Sequence, residues 1–392
     1  MALVMDRAKV EDVDKLLSLY LLIYQDDYPL EIGTNRQVMK EAIENKLEFL
    51  WLVMRDDESN AIAGSCIFEM DLKYKIGKVV GVAVADNYRD RKIATTLIEY
   101  GTRRILEEQK LVHSLYATTR TLAIHSQRMF LSNGFFPLGI FPNARKIKSY
   151  ETLTLMAKFK KDLFERRAHV EEVPEIISPM LSIMSEIAGI KFHTRAAKSK
   201  CATRSIGAEQ ESPHGDLGGF EFIYAPFFVQ RRFNEVFKND DDSHFYPFHT
   251  PNMLITCNDG TPMNLYATFN KKDHYCVIVT GSKTASVLGK ARFKKLIFAM
   301  KEMGIYYVET LVRLSSFDTI DFLTQNGFLP SAFYPAMREI NGELHDYILL
   351  TRTMVPLDFN GMAIDHSFMP FIKQYTQQWI KMNLKSFDVF WN

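Results

Sequence analysis

Val82-Ala83-Val84 closes an apolar run, and within a few residues the chain continues as Tyr88-Arg89-Asp90-Arg91-Lys92-Ile93-Ala94-Thr95-Thr96-Leu97. The apolar run reads as a strand over 79–84. Beyond it, Ile93, Ala94, Leu97, Ile98, Gly101 and Ile105 recur at helical spacing, which buries one side of a helix on a sheet. A strand that turns through such a loop into a helix is a phosphate cradle. The first-turn amides have no intrahelical partners, and the positive end of the helix dipole favours an anion. A pyrophosphate is the expected guest. The plainer reading of the same residues is a strand-loop-helix turn with surface charges.

Working outward, 13–24 is helical, with Leu16, Leu17, Tyr20 and Tyr24 on one side, and Asp26-Asp27-Tyr28-Pro29 ends it. A second helix covers about 37–45. Strands over 48–54 and 61–70 flank the charged turn 55–60 and form a hairpin. A further strand at 114–118 follows the long helix. In Ile124-His125-Ser126-Gln127-Arg128-Met129-Phe130-Leu131-Ser132-Asn133-Gly134-Phe135, Gly134 suits a left-handed helix cap and Phe135 docks into the core. A last strand at 149–159 completes this unit.

The chain then repeats itself. Asn133-Gly134-Phe135-Phe136-Pro137-Leu138-Gly139-Ile140-Phe141-Pro142 returns as Asn326-Gly327-Phe328-Leu329-Pro330-Ser331-Ala332-Phe333-Tyr334-Pro335, with Asn, Gly, Phe and both prolines at the same offsets. Self-similarity of this kind signals a duplicated fold. Strands at 253–257, 264–269, 275–279, 306–312 and 347–351 and a helix at 291–304 surround the second occurrence. The second copy lacks the cradle. Its Gly281-Ser282-Lys283-Thr284 misses the upstream glycine of a P-loop and reads as an ordinary loop. Between the copies, 174–188 is an amphipathic helix stopped by Gly189, and 194–219 is polar and rich in Gly, Ser, Lys and Arg. The C-terminal helix carries Phe371, Tyr375, Trp379 and Met382 along one side, a stripe that reads as packed core.

Composition narrows the function classes. The 392 residues are 47% hydrophobic and 24% charged, as in ordinary globular proteins. With 48 basic and 47 acidic residues the net charge is +1, which argues against a dedicated nucleic-acid binder. No apolar segment is long enough to span a bilayer, and Met5-Asp6-Arg7 lacks a signal-peptide layout, so a cytoplasmic protein is expected. Cys66, Cys201, Cys257 and Cys276 form no C-x-x-C pair, and no histidine set supplies metal ligands; free thiols and no metal are expected.

The loop at Tyr88–Ala94 resembles the R-x-x-G-x-G/A signature of the GNAT superfamily of CoA-dependent N-acetyltransferases. Arg89 takes the arginine position and Ala94 the second small position, while Lys92 stands at the first glycine and Asp90 where many members have another. Glycine serves there for positive φ or close backbone approach, so lysine either adopts a strained conformation or changes the turn. The order of elements and the Asn-Gly-Phe turn also resemble that family. The resemblance implies an α/β (α+β) fold of two tandem GNAT-like domains, each a mixed, mostly antiparallel sheet flanked by helices. The expected division is an acyl-CoA domain over 1–160, helix and linker over 161–218, a degenerate second copy over 219–354 and a helical extension over 355–392. N-myristoyltransferase is similar in layout only.

The same resemblance implies direct acyl transfer to an amine within a ternary complex, with acetyl-CoA or another acyl-CoA as co-substrate. Val82, Ala83 and Val84 would meet the pantetheine arm; Arg89, Asp90, Arg91, Lys92, Ile93, Ala94 and Thr95 would meet the pyrophosphate, and Ser126 would face the cofactor. Strand alternation places Cys66, Phe68 and Met70 on one face and Ile67, Glu69 and Asp71 on the other, which makes Glu69 the first candidate base, with Glu151 behind it. The family's tyrosine acid falls at Phe130, which cannot donate a proton. Tyr116, Tyr28 and Tyr150 are the alternatives, and Arg120, Arg145, Lys146 and Lys148 are candidates for the terminal phosphate of CoA. The acceptor is a small or protein amine. A non-catalytic acyl-CoA sensor is the rival reading, and the oligomeric state stays open.

Overall fold

The computed structural model describes residues 2–25, 28, 30–199, 219–238, 240, 244–258, 260–280 and 288–384. The first half runs β1 (Leu3–Arg7), α1 (Val13–Tyr24), α2 (Arg36–Glu44), β2 (Phe49–Asp56), β3 (Ile62–Asp71), β4 (Ile76–Val84), α3 (Ile93–Arg103), β5 (Ser114–Arg120), α4 (His125–Ser132), β6 (Phe136–Lys146) and β7 (Tyr150–Phe159). A connecting unit follows, with β8 (Glu172–Pro174), α5 (Ser178–Ala188) and β9 (Arg195–Ala197). The second half is β10 (Phe220–Tyr224), α6 (Pro226–Val236), β11 (Met253–Cys257), β12 (Asn264–Asn270), β13 (Tyr275–Ile278), α7 (Gly289–Glu302), β14 (Tyr307–Arg313), α8 (Phe317–Gln325), β15 (Leu329–Ile340) and β16 (Glu343–Thr353). The tail adds α9 (Met369–Asn383).

Local chemistry explains several boundaries. The Asn35 side chain accepts from the amides of Gln37 and Val38 and so caps α2. Gly189, at φ +64°, ends α5. Strand β2 is apolar along nearly its whole length because both faces are covered. Trp51 and Val53 pack with Leu16, Leu19 and Tyr20 of α1, while Leu50, Leu52 and Met54 belong to the core that holds Ile93, Leu97 and Ile98 of α3.

Fourteen strands form one sheet in the order β1-β2-β3-β4-β5-β7-β6-β15-β16-β14-β13-β12-β11-β10. Read from its two edges, the sheet repeats one strand order, and in each half one pair is parallel: β4–β5 and β13–β14. The repeat is also residue-exact in its irregularities, at an offset of 193 (Asn133 to Asn326). Asn133 donates to the Met129 carbonyl and Asn326 to that of Phe322; Gly134 and Gly327 follow at φ +78° and +87°. Register shifts fall between Pro137 and Gly139 and between Pro330 and Ala332, then between Phe141 and Arg145 and between Tyr334 and Arg338. Asn143 and Ala336, both left-handed, occupy the second bulge of each copy.

The copies meet where these equivalent residues face each other. Ala332 pairs with Gly139 in an antiparallel bridge between β15 and β6. Two equivalent positions paired antiparallel lie on a local two-fold axis, the isologous arrangement of a symmetric dimer. Gly139 is required there: a Cβ would lie 2.3 Å from the Ser331 carbonyl oxygen and 2.4 Å from Ala332 Cα. Around the junction, the Tyr334 hydroxyl donates to Ser114 Oγ at 2.9 Å, and Glu339 binds His113, Lys75 and Arg166. The tail also clasps the first half, because Asp365 N donates to Gln127 Oε1 and Gln127 Nε2 donates to the Ala363 carbonyl.

Several expectations change. Strands β1, β6, β10 and β15 and helix α6 lie where no strand or helix was assigned; in β6 and β15 prolines and bulges break the alternation. The helix expected over 174–188 begins as strand β8 and a 3-10 turn before α5. Asp26, Asp27, Pro29, Cys201, most of the polar 194–219 stretch and the Gly281-Ser282-Lys283-Thr284 loop lie outside the described residues. Phe371 and Tyr375 are fully buried, as their stripe implied. Among the described residues no helix is long and apolar enough to cross a membrane.

Gly139→Ala should destabilise the chain by about 3 kcal/mol or more, because overpacking adds to the loss of an unusual φ. Gly361→Ala has a positive φ but nothing within 4 Å of a Cβ, and should cost about 1 kcal/mol. Equilibrium urea denaturation of the two variants checks the difference.

Candidate active site at the divergence of two strands

The loop after β4 holds the shape expected of glycines without having them. Asp90 and Lys92 sit at φ +63° and +58°, and Lys92 is the residue from which α3 starts. Ile93 is buried in the core and anchors the turn, while Ala94 and Thr95 are half-buried. The helix ladder begins with Thr96 N donating to the Lys92 carbonyl at 2.9 Å, so the amides of 93–95 precede it and have no place in it. No side chain caps this end. Tyr88 braces the loop from beneath, buried and donating to Asp56 Oδ2 at 3.1 Å. Arg91 lies 5.4 Å from the Tyr88 ring centre, and Arg89 pairs with Asp86 at 2.6 Å. Three cations therefore surround an open helix N-terminus.

Strand β4 leads to this loop along an edge that β5 leaves unpaired. Strands β4 and β5 pair only at Ile76–Ser114, Gly77–Leu115 and Lys78–Tyr116. Beyond Lys78 they diverge, so six residues of β4, about 20 Å of strand, run to Val84 without β5 beside them. A bulge adds to the divergence: Ser65 pairs with Ala83 but Ile67 with Val80, and Gly81 adopts φ +60°. Two tyrosines of α1 take up the carbonyls there. Tyr20 donates to the Gly81 oxygen and Tyr24 to the Val82 oxygen, each at 2.7 Å. Burial pushes the Tyr24 phenol up to about 12, so it remains a donor at neutral pH.

Glu69, Lys78 and Tyr116 meet at the vertex where the two strands part. Glu69 pairs with Lys78 across β3–β4, and the Lys78 ammonium lies 6.0 Å from the Tyr116 ring centre. Neither the Glu69 carboxylate nor the Lys78 amine makes a hydrogen bond or ion pair among the described residues. Burial raises the Glu69 carboxyl, only partly offset by the Lys78 charge, and burial lowers Lys78. Both groups are thus biased toward their neutral forms. Burial and the nearby Glu69 hold Tyr116 well above the usual phenol range, so its proton is retained. Tyr28, half-buried against Tyr20 and Tyr24, adds a hydroxyl near the Gly81 amide.

The second half walls this vertex. Phe245 packs edge-on to Tyr74 at 4.9 Å, and Phe248 packs against Tyr116 at 5.8 Å. Phe248 is left-handed at φ +60°, rare for an aromatic residue. His249 Nδ1 donates to the Pro247 carbonyl, which fixes the proton on that nitrogen; burial and Lys78 lower its pKa to about 4, so the ring is neutral. Behind it Tyr246, Tyr275 and Tyr307 all donate to Glu309, the residue equivalent to Tyr116 in the repeat.

The remaining residues singled out from the sequence lie elsewhere. Glu151 is buried and held at two points by Arg120, at 2.8 and 2.7 Å, so it is an ion-pair partner rather than a free base. Cross-strand geometry, invisible in sequence, made that pair. Ser126 sits half-buried in the first turn of α4, away from the pairing ladder of β4. Phe130 packs on Phe135 at 5.0 Å in the core. Tyr150 bonds His274. Lys78 and His249 escaped sequence reading; a lysine inside an apolar strand was the available signal for the first, and nothing local marks the second.

Lys92→Gly should leave stability unchanged or raise it by up to about 1 kcal/mol, since relief of the left-handed strain is offset by glycine's entropy. Thermal melting of the variant beside the parent protein checks this.

Residues 13–135 match the model of the acetyltransferase (GNAT) family. No curated protein matches the sequence. Solved structures similar to part of the chain include an acetyltransferase of the GNAT family from Streptococcus pneumoniae, at 15% identity and TM-score 0.36, covering 41% of this chain and 99% of that one. Ribosomal-protein-alanine N-acetyltransferase from Brucella melitensis is similar at 20% identity and TM-score 0.35, covering 40% and 99%. A variant of the spermidine N-acetyltransferase SpeG from Vibrio cholerae is similar at 13% and 0.35, covering 40% and 93%. The chain therefore carries a domain of the GNAT acetyltransferase family over residues 13–135.

Proposed function

We propose that the chain is an acyl-CoA-dependent N-acyltransferase, with acetyl-CoA the expected donor, whose first half binds the thioester and whose second half shapes the acceptor side. The observation that carries this reading is the parting of β4 from β5 after Lys78, which leaves the edge of β4 unpaired by β5 between the open N-terminus of α3 and the half-buried Glu69. The amides of 93–95 with Arg89, Arg91 and Lys92 would hold the pyrophosphate. The edge of β4 at Val82–Val84 would hold the pantetheine arm in strand fashion, and one of its amides would stabilise the oxyanion.

Attack requires a neutral amine. Glu69 takes the proton from the acceptor ammonium, and the amine nitrogen adds to the thioester carbonyl in a ternary complex. The C–S bond then breaks, and Tyr116, kept protonated by its surroundings, is the donor to the departing thiolate. The proposed division of labour follows the expected boundaries, 1–160 and 219–354, with the repeat merged into one sheet. A binding protein without turnover is the second reading, favoured by Phe130 lying in the core without a hydroxyl at that position.

Acetyl-CoA should raise the melting temperature, and an amine panel should release free CoA thiol; stabilisation without thiol release from any amine favours the binding protein. Glu69→Gln should lower kcat about 10²–10⁴-fold with little change in acetyl-CoA affinity. A base works only when deprotonated, so the acid limb of the kcat profile should lie above the ordinary glutamate value, because burial raises Glu69, and should vanish in Glu69→Gln. Arg89→Ala should instead raise KM for the thioester.

A further inference from the structure

Lys78 carries a primary amine at the point where β4 and β5 part. It is the last residue of β4 to pair with β5, its side chain is largely buried, and its cross-strand neighbour is Glu69. The amine has no hydrogen-bond or ion-pair partner among the described residues; the Tyr116 ring centre lies 6.0 Å away, and Glu69 and His249 are near enough to interact with its charge. A buried lysine is normally paired. This one is instead set where an external amine would have to stand, beside the carboxylate that would deprotonate it. The in-register partners Glu69, Lys78 and Tyr116 share one face of the sheet, with the carbonyl-binding tyrosines of α1 further along the same strand.

We propose that Lys78 is itself an acyl acceptor: the chain acylates this lysine from a bound acyl-CoA when no external amine occupies the vertex. The inference rests on the acyl-CoA reading above and adds the identity of an internal substrate. Glu69 removes one proton from the Lys78 ammonium, and the nitrogen lone pair adds to the thioester carbonyl carbon. An N–C bond forms and the C–S bond breaks. CoA leaves as the thiolate and takes a proton, and a second proton passes to solvent, so that ammonium and thioester become amide, thiol and one proton. Burial, which lowers Lys78 and raises Glu69, favours the neutral amine that the step needs. The product replaces an ionisable amine by a neutral amide at the vertex. Its formation would make the acceptor side less accessible.

The test is a time course of the full chain with acetyl-CoA and no added amine, followed by digestion and peptide mass spectrometry. Lys40 and Lys110 are exposed and serve as comparators. Lys78 should gain one acetyl group at least about tenfold faster than either, because a bound thioester acts at high effective concentration. The preference should disappear in urea, and Glu69→Gln should slow it about 100-fold. A protein stabilised by acetyl-CoA in which Lys78 stays unmodified, or reacts no faster than Lys40, overturns the inference while leaving the acyl-CoA reading in place. Failure of acetyl-CoA to stabilise the chain at all overturns both.

Discussion

The antiparallel contact of Gly139 with Ala332 is the constraint on which the molecule depends. It admits no side chain on Gly139, and it places equivalent residues of two copies on one axis. Because β6 and β15 meet there, neither presents a free edge, and two seven-strand units become one sheet. The bulges on either side of the contact, marked by Pro137 and Pro330 and then by Asn143 and Ala336, recur at the same offsets and bend both strands alike.

That contact also brings polar residues of the two halves together. It brings Tyr334 of β15 onto Ser114 and beside Tyr116 of β5, and Tyr116 within electrostatic reach of Glu309 on β14. The same positions then carry different chemistry. In the first half, Tyr116 adjoins Glu69 and Lys78 at a vertex with unbonded polar atoms. In the second, Glu309 is closed off by three phenol donors, which satisfy a buried carboxylate and leave it little to do with a ligand. One copy keeps an open polar centre and the other has a sealed one. The turn at Phe245–His249, with Phe248 in a strained conformation, belongs to the sealed copy and covers the open one.

Local patterns carried most of the first half. Period-two alternation separated Cys66, Phe68 and Met70 from Ile67 and Glu69, and the cores on the two faces divide them in the same way. The Asn-Gly-Phe repeat announced the duplication because a left-handed cap after a helix leaves a short, direction-specific signature. Strands β6 and β15 escaped notice because prolines and bulges destroy alternation, even though these are the strands that join the halves. Glu151 looked equivalent to Glu69 on paper, yet Arg120 lies across the strand from it. Distance along the chain says nothing about which cation a carboxylate will meet.

By itself the sequence showed the loop from Tyr88 to Ala94 between a strand and a helix, and the return of Asn133-Gly134-Phe135 as Asn326-Gly327-Phe328, since each depends on residues close together in the chain. Only the tertiary structure decided that Asp90 and Lys92 take glycine-like backbone angles, that β4 parts from β5 after Lys78, and that His249 and Phe248 reach the first half from 130 or more residues away. The last of these depends on how the two halves meet at Gly139 and Ala332. A contact between distant residues is a property of the folded sheet, and no local pattern encodes it.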